Sequence, residues 1–390
     1  MNKKRIHYGR HNVDINDIEA VVSVLKSDWL TQGPMVPMFE KSVSEYCNVE
    51  YSIATNSATS ALHIACLALG VGEGDIVWTV ANTFVASSNC ALYCGANIDF
   101  VDIDPTTYNI SIECITDKLS LAEKIGKLPK VVIPVHLCGQ SCDMVNLHKL
   151  SEKYGFKIIE DASHAIGGRY KDKFIGNCLY SDITVLSFHP VKIITSGEGG
   201  MALTNNTVLA ERLKRFRSHG VTSTPRDMEY RPSSELWNYQ QIDLGFNYRM
   251  TDIHAALGLS QMQRLDEFVD RRHSIAKLYD NELRDLPLTT PFQAVDTHSS
   301  YHLYPIRLVL EKLNLSHIEV HDHLQQLGIN VNLHYIPVYR HPYYERLGFK
   351  QGYCPEAEKY HKDALSIPIY PSLEEAEQAK VINILKELLG

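Results

Sequence analysis

The chain has 390 residues, enough for two or three domains at about 150 residues each. Hydrophobic residues make up 44% and charged residues 22%, which fits a globular protein with a sizeable core and excludes a disordered or fibrous one. A formal net charge of -8 excludes a general attraction to nucleic acid or an anionic membrane, so neither is expected as a partner.

The start, MNKKRIHYGRHN, carries positive charge with no apolar run behind it, so no signal peptide is expected. Residues up to about 15 read as an N-terminal arm. A helix is expected over Asn16–Ser27. Short apolar runs then alternate with helical patterns. The strands are expected at Tyr51–Thr55, Asp75–Thr79, Asn97–Asp102, Lys130–Val135, Lys157–Glu160, Asp182–Phe188 and Met201–Thr204. Between them the pattern predicts helices at Thr59–Leu69, Phe84–Cys94 and Met144–Tyr154. The stretch from Ile76 to Ile98 has no charged residue and is long enough to span a bilayer. Its Asn, Ser and Gly residues favour a buried strand followed by a buried helix.

The alternation predicts an α/β layer around a mostly parallel sheet. Asn206–Gln240 is mostly polar and reads as a surface hairpin or lobe. A long helix is expected over Thr251–Asp280, with Thr251 and Asp252 as capping candidates. A smaller α+β unit follows, with a strand at Tyr301–Leu310 and a closing helix at Glu374–Leu389. The expected division is a large unit, 1–250, and a small one, 251–390. Nine cysteines are scattered along the chain. Cys138 and Cys142 stand four apart, but no second pair completes a zinc site, so no metal is expected. The odd count favours reduced thiols and a cytoplasmic location.

Ligands of an open α/β sheet bind beyond the carboxyl ends of its strands. After Tyr51–Thr55 comes Asn56–Thr59, small and hydroxyl residues at a helix start. That is an ordinary N-cap or an anion cradle. After Asp75–Thr79 comes Phe84, a core residue or a face for a flat ring. After Lys157–Glu160 comes Asp161. Of these two adjacent carboxylates one can face solvent, but the other must find a partner, such as a protonated pyridine nitrogen or a structural cation. His164 lies three residues on, beside the same ring or satisfied within the core. After Asp182–Phe188 comes Ser187–Gly200, the run SFHPVKIITSGEGG. Lys192 sits in it among Val191, Ile193 and Ile194. Apolar surroundings favour its uncharged amine, which Schiff-base formation requires. Together these groups match the phosphate, ring face, ring nitrogen and aldehyde of pyridoxal phosphate.

The runs SATSALHIACLALGVGEGD, NTFVASSN, IPVHLCGQ, IIEDASHAIGG, SFHPVKIITSGEGG, LGFNYRMTDIHAALGLSQ, YHLYPIRL, HYIPVY and LSIPIYPSL carry a resemblance. The chain resembles the DegT/DnrJ/StrS aminotransferases, from about Ile6 to Leu389. The resemblance implies a fold-type I pyridoxal-phosphate enzyme acting on nucleotide sugars. Lys192 would hold the cofactor as a Schiff base, and Asp161 would pair with its ring nitrogen. Ala58, Thr59 and Ser187 would bind the phosphate, Phe84 would stack on the ring, and His164 would lie near it. Ala58 stands where many relatives have Gly, a change that keeps the backbone contact. Asn247 would reach the neighbouring subunit's phosphate, which implies a homodimer with shared sites. Family members with His at the Lys192 position are dehydratases, so Lys192 implies transamination. His189-Pro190-Val191 and Leu30–Pro34 resemble the transaminases of the pseudaminic acid pathway, which implies a UDP-linked keto-sugar acceptor and L-glutamate as donor; a run of the type SFHxxK is also found in the 4-amino-4-deoxy-arabinose transaminases. Arg249, Tyr248, His334 and Tyr335 are candidates for the UDP part, and His189 and His302 for the sugar. Each of these six is equally open to a structural role.

Overall fold

The computed structural model describes residues 5–229 and 235–390. Seven strands form its central sheet: β1 (Tyr51–Thr55), β2 (Ile76–Val80), β3 (Asn97–Val101), β4 (Val131–Ile133), β5 (Lys157–Asp161), β6 (Ile183–Ser187) and β7 (Gly200–Thr204). Their order is β1-β7-β6-β5-β4-β2-β3. All neighbouring pairs from β6 to β3 are parallel, whereas β7 runs antiparallel to both β6 and β1. The expected mostly parallel sheet is therefore present, with strand boundaries within two residues of those read from the sequence.

Helices cover both faces, because the strands are apolar on both sides and need two layers. One core cluster includes Ile64, Val77, Val132, Ile159 and Leu213. A second includes Phe39, Val43, Leu186, Phe188, Leu265 and Phe268. The helices of the first half are α1 (Ile15–Leu25), α2 (Met35–Cys47), α3 (Ala58–Ala68), α4 (Ala86–Tyr93), α5 (Ile112–Lys124) and α6 (Met144–Tyr154). The uncharged stretch from 76 to 98 resolves into β2 and α4, both largely buried. Among the described residues no helix is long and apolar enough to cross a membrane.

Two expectations need correction. The polar segment 206–240 begins with an 11-residue helix, α7 (Thr207–Arg217), and not with a surface lobe. Asn206 caps it by accepting from Val208 N–H and Leu209 N–H. Leu209, Ala210, Leu213 and Phe216 bury one face among the basic residues that dominate the composition. A short hairpin ladder of Val221–Thr222 with Gln240–Gln241 follows, and residues 230–234 of the expected lobe lie outside the described residues. The expected single helix after Thr251 is two, α8 (Asp252–Met262) and α9 (Leu265–Glu282), broken at Gln263–Arg264. Thr251 does cap the first, accepting from His254 N–H at 3.3 Å.

A third core lies around α9, β8 (Tyr304–Leu308), α10 (His317–Gln326), β9 (Ala364–Ile367), and a closing helix, α11 (Glu375–Leu389). Ile6 from the N-terminal arm packs into it. Residues around Val338–Ala364 return to the first core, so the C-terminal part folds back over the sheet edge where β1, β2, β5 and β6 end.

Candidate active site

The strand ends converge on a cavity of about 580 Å³. Of the residues singled out by sequence, Ala58, Thr59, Phe84, Asp161, His164, Ser187, His189, Lys192, His302, His334 and Tyr335 line it. Asn247, Tyr248 and Arg249 do not. Asn247 is exposed. Tyr248 gives its hydroxyl to a contact with His63 Nδ1 at 3.1 Å and stacks on Phe246 at 4.9 Å.

At one end α3 presents its N-terminus. Ser57 caps it through Ser60 N–H at 3.1 Å. The N–H groups of Ala58 and Thr59 open the first turn, where no carbonyl lies behind to accept them. Gly200 pairs with both Thr55 and Ser187. A Cβ there would fall within 2.5 Å of Ser57 O, so glycine allows β7 to approach the helix start. Such a cradle suits an anion.

Asp161 ends β5, 4% exposed. Its Oδ2 accepts from Ser87 Oγ at 2.6 Å, and its Oδ1 from Ser163 N–H at 3.1 Å and Ser163 Oγ at 2.5 Å. Ser87 is itself held by Thr83 at 2.8 Å. The adjacent Glu160 does not face solvent, as the sequence allowed. It is buried on the other side of the strand, with His136 Nε2 at 2.7 Å and Ser181 Oγ at 2.5 Å. Burial raises the Glu160 carboxyl, but these donors outweigh it and hold it below the usual carboxylate range.

Lys192 is partly exposed on the cavity wall. Burial pushes its ammonium down to about 8, against the pull of the Asp161 carboxylate. An amine partly uncharged near neutral pH follows, as the apolar neighbours implied. Phe84 is 58% exposed, so it is no core residue, and its ring is 6.3 Å from that of Tyr335. Three buried imidazoles complete the wall. Burial, then Lys192, pushes His164 well below the ordinary range; burial, then His164 and Lys192, does the same to His302; and burial with Lys192 takes His334 to about 3. His302 Nδ1 has no hydrogen-bond partner among the described residues. His189 stands at the exposed rim, 4.0 Å from Glu198.

Sequence reasoning missed Tyr8, Ser87, Ser163, Glu198, Asn332 and His341 on the same wall. Two left a signal. Ser163 is two residues beyond Asp161, the spacing of a local side-chain turn. Ser87 is three residues beyond Phe84, one helical turn on. Tyr8 and Asn332 come from distant segments without a local pattern.

A Cβ-free cradle, an unburied aromatic ring, a nearly buried carboxylate on the cavity wall and a lysine with a lowered pKa fit the phosphate, ring, ring nitrogen and aldehyde of pyridoxal phosphate. On this sheet they define a fold-type I pyridoxal-phosphate enzyme. The family model for DegT/DnrJ/EryC1/StrS aminotransferases matches residues 12–386. This chain belongs to that family and is a pyridoxal-phosphate-dependent sugar aminotransferase. The UDP-4-amino-4,6-dideoxy-N-acetyl-β-L-altrosamine transaminase of Campylobacter jejuni serotype O:2 is 35% identical over 384 residues, 98% of this chain and 97% of its own. The spore coat polysaccharide biosynthesis protein SpsC of Bacillus subtilis is 34% identical over 395 residues, 100% of this chain and 99% of its own. Helicobacter pylori PseC, described as an aminotransferase involved in the biosynthesis of pseudoaminic acid, superposes with a TM-score of 0.89 at 28% identity, covering 99% of each chain.

Proposed function

We propose that this enzyme transfers the amino group of L-glutamate to C4 of a UDP-linked 4-keto-6-deoxy-N-acetyl-hexosamine, giving UDP-4-amino-4,6-dideoxy-N-acetyl-β-L-altrosamine. The observation that carries the reading is Lys192, its amine lowered to about 8, on the wall of a cavity of about 580 Å³ with room for a sugar beside the cofactor. The altrosamine product is supported by the Campylobacter relative, which matches over nearly its whole length.

Pyridoxal phosphate, when bound, supplies an aldehyde that captures amines and a ring that accepts electrons from the carbon losing its proton. The residues of the chain do the rest. Ala58 N–H, Thr59 N–H and Ser187 Oγ hold the phosphate. Asp161, fixed by Ser87 and Ser163, keeps the ring nitrogen protonated. Phe84 covers a ring face, and His164 lies beside it. Lys192 Nζ takes a proton from the donor Cα and returns one to the acceptor carbon. Because the amino donor leaves before the keto-sugar enters, ping-pong kinetics follow. His189 and His302 face the sugar, His334 serves the nucleotide, and Tyr335, 3.2 Å from His164 Nε2, faces the cofactor and the amino donor, whereas Tyr248 and Arg249 do not line this cavity. The exposed Asn247 serves the neighbouring subunit's phosphate, so the working unit is a homodimer in the cytoplasm. Each protomer divides into a large unit, 1–250, and a small one, 251–390.

A second reading, another nucleotide-sugar 4- or 3-aminotransferase such as the 4-amino-4-deoxy-arabinose type, draws on an equally long match to a relative in a different process, the spore coat polysaccharide biosynthesis protein SpsC. One experiment separates them. The enzyme is charged with glutamate, then offered a panel of keto-sugar nucleotides, and recovery of the lysine-bound cofactor absorbance is followed. Recovery with the UDP-4-keto-N-acetyl sugar, and an amine at C4 of the product, is expected. Recovery only with other sugars, or an amine at C3, would sink the first reading. A non-catalytic role on this fold requires that Lys192→Ala behave like the parent.

A further inference from the structure

The peptide of Cys138 lies between two histidines of the cavity wall. Its backbone is left-handed, φ 60° and ψ 1°, a conformation that non-glycine residues rarely adopt. Both its polar groups engage the site. Its N–H donates to His164 Nδ1 at 3.3 Å, and its carbonyl accepts from His302 N–H at 2.8 Å.

A ring nitrogen that accepts an N–H carries no proton of its own. Since burial keeps the His164 ring neutral, its single proton sits on Nε2. Nε2 is 3.2 Å from Tyr335 Oη. The Tyr335 hydroxyl therefore accepts from His164, and its own proton must be given elsewhere. Burial holds the phenol well above its ordinary range, so that proton is retained. Among the described residues no second partner of Tyr335 Oη is found. The tyrosine is also fixed from behind, because its N–H donates to Asn82 Oδ1 at 2.8 Å. What remains within reach is the cavity that Tyr335 lines.

We propose that Tyr335 donates a hydrogen bond to an anionic oxygen of the cavity's occupant, with Cys138 N–H and His164 as the positioning groups that make it an obligate donor. Two sources share this chemistry. One is the ring oxygen of the cofactor, and the other is the α-carboxylate of the amino-acid donor. The inference rests on the cofactor and the amino donor, and not on which sugar is used.

The test compares Tyr335→Phe holoenzyme with the parent in three measurements. These are the pH titration of the lysine-bound cofactor absorbance without substrates, the glutamate half-reaction, and the keto-sugar half-reaction. If the acceptor is the cofactor oxygen, the titration midpoint moves by about one pH unit before any substrate is added. If it is the donor carboxylate, the midpoint stays, while the glutamate concentration for half-maximal rate rises about tenfold and the keto-sugar half-reaction is unchanged. An unchanged midpoint with unchanged glutamate dependence overturns the proposal, and so does a change confined to the keto-sugar half. Should Tyr335→Phe fold poorly, His164 substitutions give the same reading. His164→Gln retains an N–H for Tyr335 and should move the parameter that Tyr335 controls less than His164→Leu, which has none. Equal behaviour of these two variants also overturns the proposal.

Discussion

Replacing Gly200 with alanine tests the anion cradle at the start of α3. The added Cβ would lie within 2.5 Å of Ser57 O and closer still to Ala58 N and Ser57 C, where ordinary contact begins near 3.4 Å. The three nearest atoms are all backbone, so no side chain can swing away to relieve them, and the helix start must retreat by about 1 Å. Overpacking of this kind costs about 1–3 kcal/mol of stability. The sharper effect falls on the cofactor. A hydrogen bond to a charged group contributes about 1.5–3 kcal/mol, so losing one of the Ala58 and Thr59 contacts weakens binding about ten- to a hundredfold. Apoprotein titrated with pyridoxal phosphate, read by absorbance, gives the dissociation constant. Thermal unfolding of the apoprotein gives the stability loss separately. A Gly200→Ala protein that unfolds earlier yet binds the cofactor as tightly as the parent would refute the cradle.

Four further outcomes are expected. Lys192 must be uncharged to capture the cofactor. Its folded pKa is lowered to about 8, so the rate of cofactor loading into apoprotein should rise with pH and level off above about 8, falling about tenfold per unit below it. A rate flat from pH 6 to 9 would contradict the assignment. Lys192→Ala should lose the lysine-bound absorbance and about a thousandfold in turnover. Ser87→Ala removes the 2.6 Å donor from Asp161 Oδ2 and should weaken cofactor binding about tenfold, with Ser87→Thr restoring it. Phe84→Ala removes a ring that is 58% exposed. It should leave apoprotein melting within about 0.5 kcal/mol of the parent while weakening cofactor binding about three- to tenfold. Equal losses in both measurements would mean the ring packs within the protein.

The residues that carry the site were legible where local pattern and position coincide. Lys192, Asp161 and Thr59 each follow an apolar strand, and a sheet brings such ends to one edge. The strands were legible for the same reason, because a buried parallel strand is a short unbroken apolar run. Helix α7 was not, since Arg, Lys and Glu set its composition while four apolar side chains set its packing. The break between α8 and α9 was hidden because Gln263 and Arg264 are both good helix formers. Glu160 found His136, 24 residues away, and Tyr335 found His164, 171 residues away. No spacing rule reaches across such distances, and the tautomer of His164 depends on a backbone group that has no sequence signature.

The lone antiparallel strand β7 has a consequence for how the reactive lysine is carried. The chain from Ser187 to Gly200 leaves the sheet and returns beside its own exit, tied at the base by Phe188 N–H to Gly199 O at 2.9 Å and by Ser196 N–H to Phe188 O at 3.0 Å. Lys192 therefore rides on a closed hairpin loop between two fully buried strands, and no crossover helix must form before it is placed. Closing so short a loop has a small entropic cost. The sheet's integrity does not depend on the side chain at the tip, so the scaffold can keep its shape while the residue that defines its reaction is exchanged.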